Sequence, residues 1–178
     1  MIENIRSFIQ SFVLKTKLKK QDREKVMSSL NSAKTVGIVC LVDLEDNWKI
    51  IQDVIKEFQE KGARVGVMGV FYGNVKPLWF IETLNVTLCT EKELGLSQIP
   101  TGMHITEFLS TKFDLLIDFS IKDKFAPFYI AALSNAKFKI GLDSEQNRTH
   151  FDMLLKLEQT DIKEYKNHLM HYLSQINI

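Results

Sequence analysis

The stretch at 112–142 constrains the fold of this chain more than any other. It begins with a nearly continuous apolar run at 112–120, passes through a polar loop into an apolar segment at 127–136, and ends in a second apolar run at 137–142. A strand, a helix and a strand within about thirty residues form a βαβ unit, in which one helix covers two neighbouring parallel strands. The sequence therefore predicts an α/β fold.

A second unit of the same kind lies upstream. The valine-rich run at 35–42 predicts a strand that is buried on both faces, and the run at 64–71 predicts another. Between them, at 48–61, the apolar residues change to helical spacing, and Asp46 or Asn47 can cap the start of that helix.

The remaining segments continue the alternation of strands and helices. We predict a short strand at 85–89, a helix at 103–111, a strand-like run at 151–157 and a last helix capped by Thr160, while 78–84 fits either a short helix or a strand. Strands that alternate with helices predict a three-layer, Rossmann-like α/β sandwich with a mostly parallel sheet.

Residues 1–32 form a predicted helical extension, and residues 33–178 form the single α/β domain. The extension is predicted to hold one helix at 2–18 and a second at 21–32. The first helix carries an apolar stripe with helical spacing: Ile5, Phe8, Ile9 and Phe12. We expect this helix to dock on the domain or on a partner subunit; the lysines that follow the stripe keep an anionic membrane surface as the less favoured alternative.

Composition and charge narrow the class of protein. A length of 178 residues fits one domain, and 23 basic against 22 acidic residues give a net charge of +1, which predicts no nucleic-acid partner. Cys40 and Cys89 lie in apolar runs and are expected to be reduced core residues. Because neither a membrane-spanning run nor a signal peptide is recognised, we expect a cytoplasmic protein.

Polar residues follow the predicted strands at the edge where sheets of this kind bind ligands. Ligands of open α/β sheets bind beyond the carboxyl ends of the strands. This rule selects positions after four of the strands, including 72–74 and Asp143. From them come five candidate ligand-binding residues: Asp43, Asp46, Asn74, Asp118 and Ser120. Asp46 and Asp118 could also converge on a cation such as Mg²⁺, although structural roles are favoured for both.

Motifs that would assign a catalytic residue or a cofactor are not found. The turn after the first predicted strand is acidic and lacks a glycine-rich phosphate-binding signature, so dinucleotide binding is not indicated. Glu164, His168 and His171 share one helical face, but that face lies opposite the apolar stripe and we predict no metal there. A GxSxG nucleophile elbow is missing as well.

Three segments carry a resemblance to a known family: 113–120, 131–141 and 151–153. With them, nearly the whole chain resembles an uncharacterised bacterial family of about this length. Since no activity is established for that family, the resemblance implies no particular function.

The first of these segments is also similar to the N-terminal, acceptor-side domain of heptosyltransferase-like glycosyltransferases, which have the two-domain GT-B fold. In those enzymes a strand ending in Ile-Asp precedes a helix and a strand ending in Ile-Gly follows, as at 117–118 and 140–141 here. Asp46, seventeen residues before Ala63, matches an aspartate implicated as the catalytic base, although Glu45 stands where the enzymes have glycine. The resemblance covers one half of such an enzyme.

The favoured hypothesis is a non-catalytic ligand-binding or interaction module that resembles half of a GT-B enzyme, with a small polar ligand, a protein partner or a second copy as its occupant. One alternative is an enzyme acting on a phosphorylated or sugar-like substrate, with Asp46 as base and Asp118 or Arg148 positioning the substrate. The other is an oligomeric or membrane-surface scaffold that uses the N-terminal helix.

Overall fold

A computed structural model describes residues 2–159 and 161–176. Its strands are β1 Thr35–Leu41, β2 Arg64–Phe71, β3 Val86–Thr90, β4 Leu115–Asp118, β5 Phe138–Leu142 and β6 Met153–Leu155. Its helices are α1 Ile2–Leu18, α2 Glu45–Glu60, α3 Glu91–Leu94, α4 Met103–Ser110, α5 Phe125–Leu133 and α6 Ile162–Gln175.

The described strands form one sheet in the order β3-β2-β1-β4-β5-β6, and every neighbouring pair of strands is parallel. This is a doubly wound, Rossmann-like order, in which the direction of winding reverses between β1 and β4. In the register of the sheet, Val39 of β1 lies opposite Met68 of β2 and Asp118 of β4. The predicted α/β architecture with a mostly parallel sheet is confirmed.

Two apolar layers cover the two faces of the sheet. On one face, α2 and α6 pack through residues such as Phe58 and Leu169 against Ile38 of β1. On the other face, α4 and α5 pack against Val39, and α1 lies outside α5. All residues of α5 from Ala126 onwards are buried, because the sheet lies on one side of this helix and α1 and α4 lie on others.

The prediction of a second helix at 21–32 is wrong. Residues 21–29 run without regular secondary structure along the amino ends of the strands, and we call this segment the amino-edge strap. The amide of Val26 donates to the carbonyl of Lys137, at 3.2 Å, and the Ser28 hydroxyl donates to the carbonyl of Asp114, at 3.0 Å. These bonds to the rest of the domain replace the bonds that a helix would make within itself.

The helix α1 is present as predicted, but a different face of it contacts the domain. Leu14 is buried against the layer of α5, with Val13 and Leu18 partly buried beside it. The predicted stripe faces away from the domain, and its four side chains are 41–73% exposed. The helix therefore docks on the domain, which is one of the two expectations, but it does so through this other face and leaves the predicted stripe exposed.

The start of α2 also differs from the expectation. The residue at the N-cap position is Leu44, which makes no side-chain cap, so neither Asp46 nor Asn47 caps this helix. The stretch 78–84 forms turns and an isolated bridge rather than a helix or a strand. The predicted cap Thr160 lies outside the described residues; the next residue, Asp161, accepts hydrogen bonds from the amides of Lys163 and Glu164 at the start of α6.

Both cysteines are buried and free of disulfide bonds, as predicted. Burial raises the pKa of the Cys40 thiol well above its ordinary value, and burial raises that of Cys89 to about 12. Both thiols are therefore protonated and unreactive at neutral pH.

Candidate functional site

A cleft of about 200 Å³ opens beyond the carboxyl ends of β4 and β5. Asp118, the last residue of β4, and Ser120, two residues later, form its floor, and the amide of Ser120 donates to Asp118 Oδ1 at 2.9 Å. Asp143 and Asn147 line the side that follows β5. Because parallel strands end at the same edge of a sheet, these distant parts of the sequence meet at one place.

Two polar groups on this floor are removed from water. Asp118 is only 4% exposed, and burial raises the pKa of its carboxyl from 3.8 to about 6, against the opposing effects of the Ser120 hydroxyl and the Ser120 amide. The hydroxyl Oγ of Ser120 is buried and close enough to the Asp118 carboxyl to lower its pKa, but it makes no hydrogen bond of regular geometry to any described residue. A buried polar atom without a partner costs free energy, so it indicates a place where a ligand or water can bond.

The crevice between β1 and β4, where the winding reverses, is bridged by an ion pair. Lys122, in the loop after β4, places its Nζ 2.6 Å from Asp43 Oδ2. Asp43 Oδ1 also accepts hydrogen bonds from the amide of Leu44 and the side chain of Asn47. Although burial raises the pKa of Asp43, the bonds to Lys122 and Asn47 outweigh it and hold the pKa below its ordinary value.

The charged residues of the opposite rim have partners as well. Arg148 forms a two-bond pair with Asp143, with its Nε 2.8 Å from Asp143 Oδ1. This hydrogen bond holds the pKa of Asp143 below its ordinary value. Asp123 accepts a hydrogen bond from the side chain of Gln146, and the side-chain amide of Asn147 donates to the carbonyl of Leu142.

The five candidate ligand-binding residues are only partly brought together. Asp118 and Ser120 line the cleft, and Asp43 reaches it through its pair with Lys122. The Asp46 side chain is 91% exposed in the first turn of α2, where it pairs with Lys49, and Asn74 is exposed in the loop after β2. Neither of these two lines the cleft.

Sequence reasoning missed the residues that complete the cleft. Lys122 belongs to the polar loop after β4, and Asn147 belongs to the polar loop after β5. The rule that selected Asp118 could have selected the whole of both loops, but it could not tell which side chains turn inward.

Larger grooves lie elsewhere, and two of them are lined by a residue with a buried nitrogen that has no hydrogen-bond partner among the described residues: His104 in one and Arg6 in another. One of about 380 Å³ lies at the amino ends of β1 and β2, beside Thr35 and Phe113, and one of about 570 Å³ lies between α1 and α5. The first is at the edge of the sheet that ligands of this fold class do not use. The second is lined by apolar residues such as Leu14 and Phe128 together with polar ones such as Gln146 and His150.

The chemistry of the edge bears on cofactors and metals. The first turn of α2 carries Glu45 and Asp46, and these negative charges oppose a phosphate at the positive end of the helix dipole. Within 2–159 and 161–176, no group of three or more His, Cys, Asp or Glu side chains is arranged to hold a metal ion. His168 and Glu164 approach only to 4.0 Å.

Across the part of the chain that the structure describes, no helix has both the length and the apolar character needed to cross a membrane. A search of curated proteins finds none that matches this chain. A family model does match residues 6–176, nearly the full length, and the chain therefore belongs to the family of unknown function DUF6913.

Proposed function

We propose that this protein is a binding module for a small, hydroxyl-rich ligand, such as a sugar or the ribose of a nucleoside, held in the cleft beyond β4 and β5. The single observation that carries the proposal is the buried Ser120 hydroxyl without a partner, next to the buried carboxyl of Asp118. Two adjacent ligand hydroxyls can satisfy both groups, one by donating to the Asp118 carboxylate and the other by bonding to Ser120 Oγ.

Size and charge support this choice of ligand. A cleft of about 200 Å³ is smaller than the ~300–1,000 Å³ typical of pockets for drug-sized molecules, so a single sugar ring suits it. Asp118 and Asp123 oppose an anionic group on the floor, while Lys122 is already engaged by Asp43 and the Lys124 ammonium lies over the Tyr72 ring. A neutral ligand that donates hydrogen bonds fits these charges better than a phosphate does.

Binding is favoured over catalysis by the pairing of the charged residues. Catalysis by a general acid and a general base acting together needs, besides Asp118, a second titratable group that is free to exchange a proton with the substrate. In the cleft, Lys122 pairs with Asp43, Asp143 pairs with Arg148, and Asp123 is bonded to Gln146. Lys124 also lines the cleft, and its ammonium lies 5.4 Å from the centre of the Tyr72 ring. Asp118 is then the carboxyl on which recognition rests.

An enzyme of the GT-B type with Asp46 as base is the alternative, and it rests on the resemblance alone, as does a bacterial origin. The exposure of Asp46 and its pair with Lys49 do not favour it, because a general base works best in an enclosed site. A cytoplasmic location also belongs to the proposal, supported by two buried cysteines that form no disulfide.

Titration of the full chain with D-ribose, with D-glucose and with inorganic phosphate, followed by amide chemical shifts, tests the proposal. We expect at least one sugar to move the resonances of the loops after β4 and β5, and phosphate to leave them in place. Ser120→Ala and Asp118→Asn should each weaken sugar binding roughly tenfold or more, because each leaves a ligand hydroxyl without its partner.

Asp46→Asn is the matched control, because it removes an exposed carboxylate at the same edge of the sheet without touching the cleft. It should leave sugar binding unchanged. Perturbation by phosphate alone, or by none of the three probes, would overturn the proposed ligand class. Equal losses in Asp46→Asn and Asp118→Asn would move the site to the start of α2.

A further inference from the structure

The outer face of α1 is an apolar surface that no described residue covers. Its four side chains have i, i+3, i+4 and i+7 spacing and all are exposed: Ile5, Phe8, Ile9 and Phe12. We call these four residues the outer stripe. Bulky apolar residues scattered singly over a surface are ordinary, but a contiguous stripe on one helix marks an interaction surface.

The domain holds α1 so that the outer stripe points outward. Leu14 is buried toward α5, and the Lys17 ammonium lies 5.4 Å from the centre of the Tyr129 ring of α5. Both residues lie on the side of the helix opposite the stripe, by the 3.6-residue helical repeat. A flat surface can therefore approach the stripe without meeting the domain first.

The charges around the outer stripe have one sign. Lys15 and Lys19 follow Phe12 at i+3 and i+7, and both are exposed. The helical hydrogen bonding continues to Lys19, whose amide donates to the carbonyl of Lys15, so both lysines extend the same face. Helical spacing puts Glu3 on the opposite side of α1.

The acidic residues that follow α1 lie elsewhere. The amino-edge strap carries the chain away from α1, and Glu24 of the strap lies close enough to Lys137, before β5, to raise the pKa of that lysine after the larger effect of its bond to Asp114. Asp22 lines a groove with Lys17 and with Leu109 of α4, on the domain side of α1. Neither of these two acidic residues of the strap therefore shares the face of the outer stripe in the fold. An apolar face continued by lysines complements an anionic lipid surface.

A second copy of the chain fits the outer stripe less well. Two phenylalanines and two isoleucines at these exposures present roughly 500 Å² per protomer, so complete mutual burial gives about 1,000 Å² in total, at the lower limit for a specific interface. Pairing two copies also supplies no acidic residue from this face to meet Lys15 and Lys19.

We propose that α1 is an interfacial membrane anchor: its outer stripe inserts among the lipids of an anionic membrane while Lys15 and Lys19 meet the headgroups. The helix lies parallel to the membrane surface, and the sheet domain packs against the opposite face of the helix. The cleft beyond β4 and β5 takes no part, so membrane binding and sugar binding are separate properties of the chain.

Flotation of the full chain with vesicles tests this proposal. We expect the protein to float with equimolar phosphatidylglycerol–phosphatidylcholine vesicles, and far less with phosphatidylcholine alone or in high salt. Phe8→Ser with Phe12→Ser should lower the bound fraction roughly tenfold or more, since both rings are lost from the inserted face. Lys15→Gln with Lys19→Gln should lower it roughly tenfold and remove most of the salt dependence.

The matched control is Val75→Ser with Leu78→Ser, which removes two apolar side chains that are 81% and 98% exposed in the segment between β2 and β3. It should leave flotation unchanged. Absence of flotation with phosphatidylglycerol vesicles would overturn the proposal, as would an equal loss in the control. A dimer in sedimentation that Phe8→Ser with Phe12→Ser abolishes, without flotation of the native chain, would instead assign the stripe to a second copy.

Discussion

At the scale of single residues, Asp118 links the stability of the fold to the candidate site. Its carboxyl is buried at the end of β4, and burial raises its pKa from 3.8 to about 6. The folded state therefore holds this proton more tightly than the unfolded chain does. Burial of the Asp118 carboxylate therefore does not lower the free energy of unfolding below about pH 4, where the group is protonated in both states. The free energy of unfolding falls as the pH rises, and the loss is complete above about pH 6.

Asp118→Asn should stabilise the protein near neutral pH by about 1–3 kcal/mol and should have little effect near pH 4, because the amide keeps an acceptor for Ser120 but carries no charge. Urea unfolding at the two pH values measures the difference. Asp46→Asn, at an exposed position, should show no such trend. A variant that is equally destabilised at both pH values would show that burial of the Asp118 charge does not destabilise the native protein.

For Lys139, burial has the opposite effect on proton binding by the folded state. Its ammonium donates to the carbonyl of Ala132, at 2.6 Å, and burial, with a smaller effect of the positive charge of Arg23, lowers its pKa from 10.5 to about 7. The unfolded chain therefore binds this proton more tightly. Burial of the charged ammonium lowers the free energy of unfolding by its full amount below about pH 7, and this loss disappears as the pH rises toward 10.5.

Lys139→Met should remove this pH dependence. We expect the stability of the variant relative to the native chain to fall by about 1.4 kcal/mol for each pH unit between pH 7 and pH 10, because in this range the folded native chain holds Lys139 neutral and its unfolding binds one proton. Urea unfolding across that range measures the slope. Lys137→Met is the control, since Lys137 pairs with Asp114 near the surface and its pKa is raised; an equal slope in this control would contradict the assignment to Lys139.

At the scale of elements, the sequence predicted the parts whose pattern is local. The strands at β1, β2, β4 and β5 carry continuous apolar runs, and α4 and α6 carry helical periods, so each was found within a few residues of its bounds. The short α3 was missed although Thr90 and Glu93 form a capping box, a signal that the sequence does contain.

The amino-edge strap was mistaken for a helix because its bonds join residues that are far apart in sequence. Arg23 forms a two-bond pair with Asp152, and the Gln21 side chain donates to the carbonyls of Leu133 and Ser134. Tertiary contacts of this kind override a weak helical pattern, and no period in the sequence records them.

Arg23→Ala should destabilise the protein by about 3–5 kcal/mol, because it leaves the Asp152 carboxylate nearly buried without its closest partner. The side chains of Arg23 and Asp152 are only 9% and 11% exposed, which limits the help that water can give. Lys25→Ala is the matched control: Lys25 contacts the same carboxylate at 3.4 Å but is 71% exposed, so the loss should stay below about 1 kcal/mol. Equal losses in urea unfolding would show that the strap is held by something other than this pair.

At the scale of the whole molecule, the doubly wound sheet explains how much of the site could be predicted. The parallel strands bring Asp43 and Asp118 to one edge, as the position rule requires, and this part of the candidate site followed from the sequence. The rule could not foresee that Lys122 bridges the crevice or that Asp46 turns to solvent, because both depend on loop conformation.

The outer stripe shows what an apolar period in the sequence cannot predict. Its period predicted α1, but a stripe alone does not say whether the domain or another surface covers it, and the domain used Leu14 instead. The division of the chain at residue 32 stays a prediction. It requires residues 1–32 to unfold without the sheet, whereas α1 covers the fully buried α5 and the strap bonds to the amino ends of the strands.

Leu14→Ala decides between an extension and an integral part of the domain. Leu14 is 6% exposed against α5, so its truncation should lower the free energy of unfolding of the whole chain by about 2–4 kcal/mol, in one transition seen alike by far-ultraviolet circular dichroism and by tryptophan fluorescence. Phe8→Ala, in the same helix but on the outer stripe, is the control and should change it by less than about 0.5 kcal/mol. The packing of α1 on α5 is the reason to expect a single transition; two separate transitions, or a Leu14→Ala variant as stable as the native chain, would mean that α1 is an independent extension.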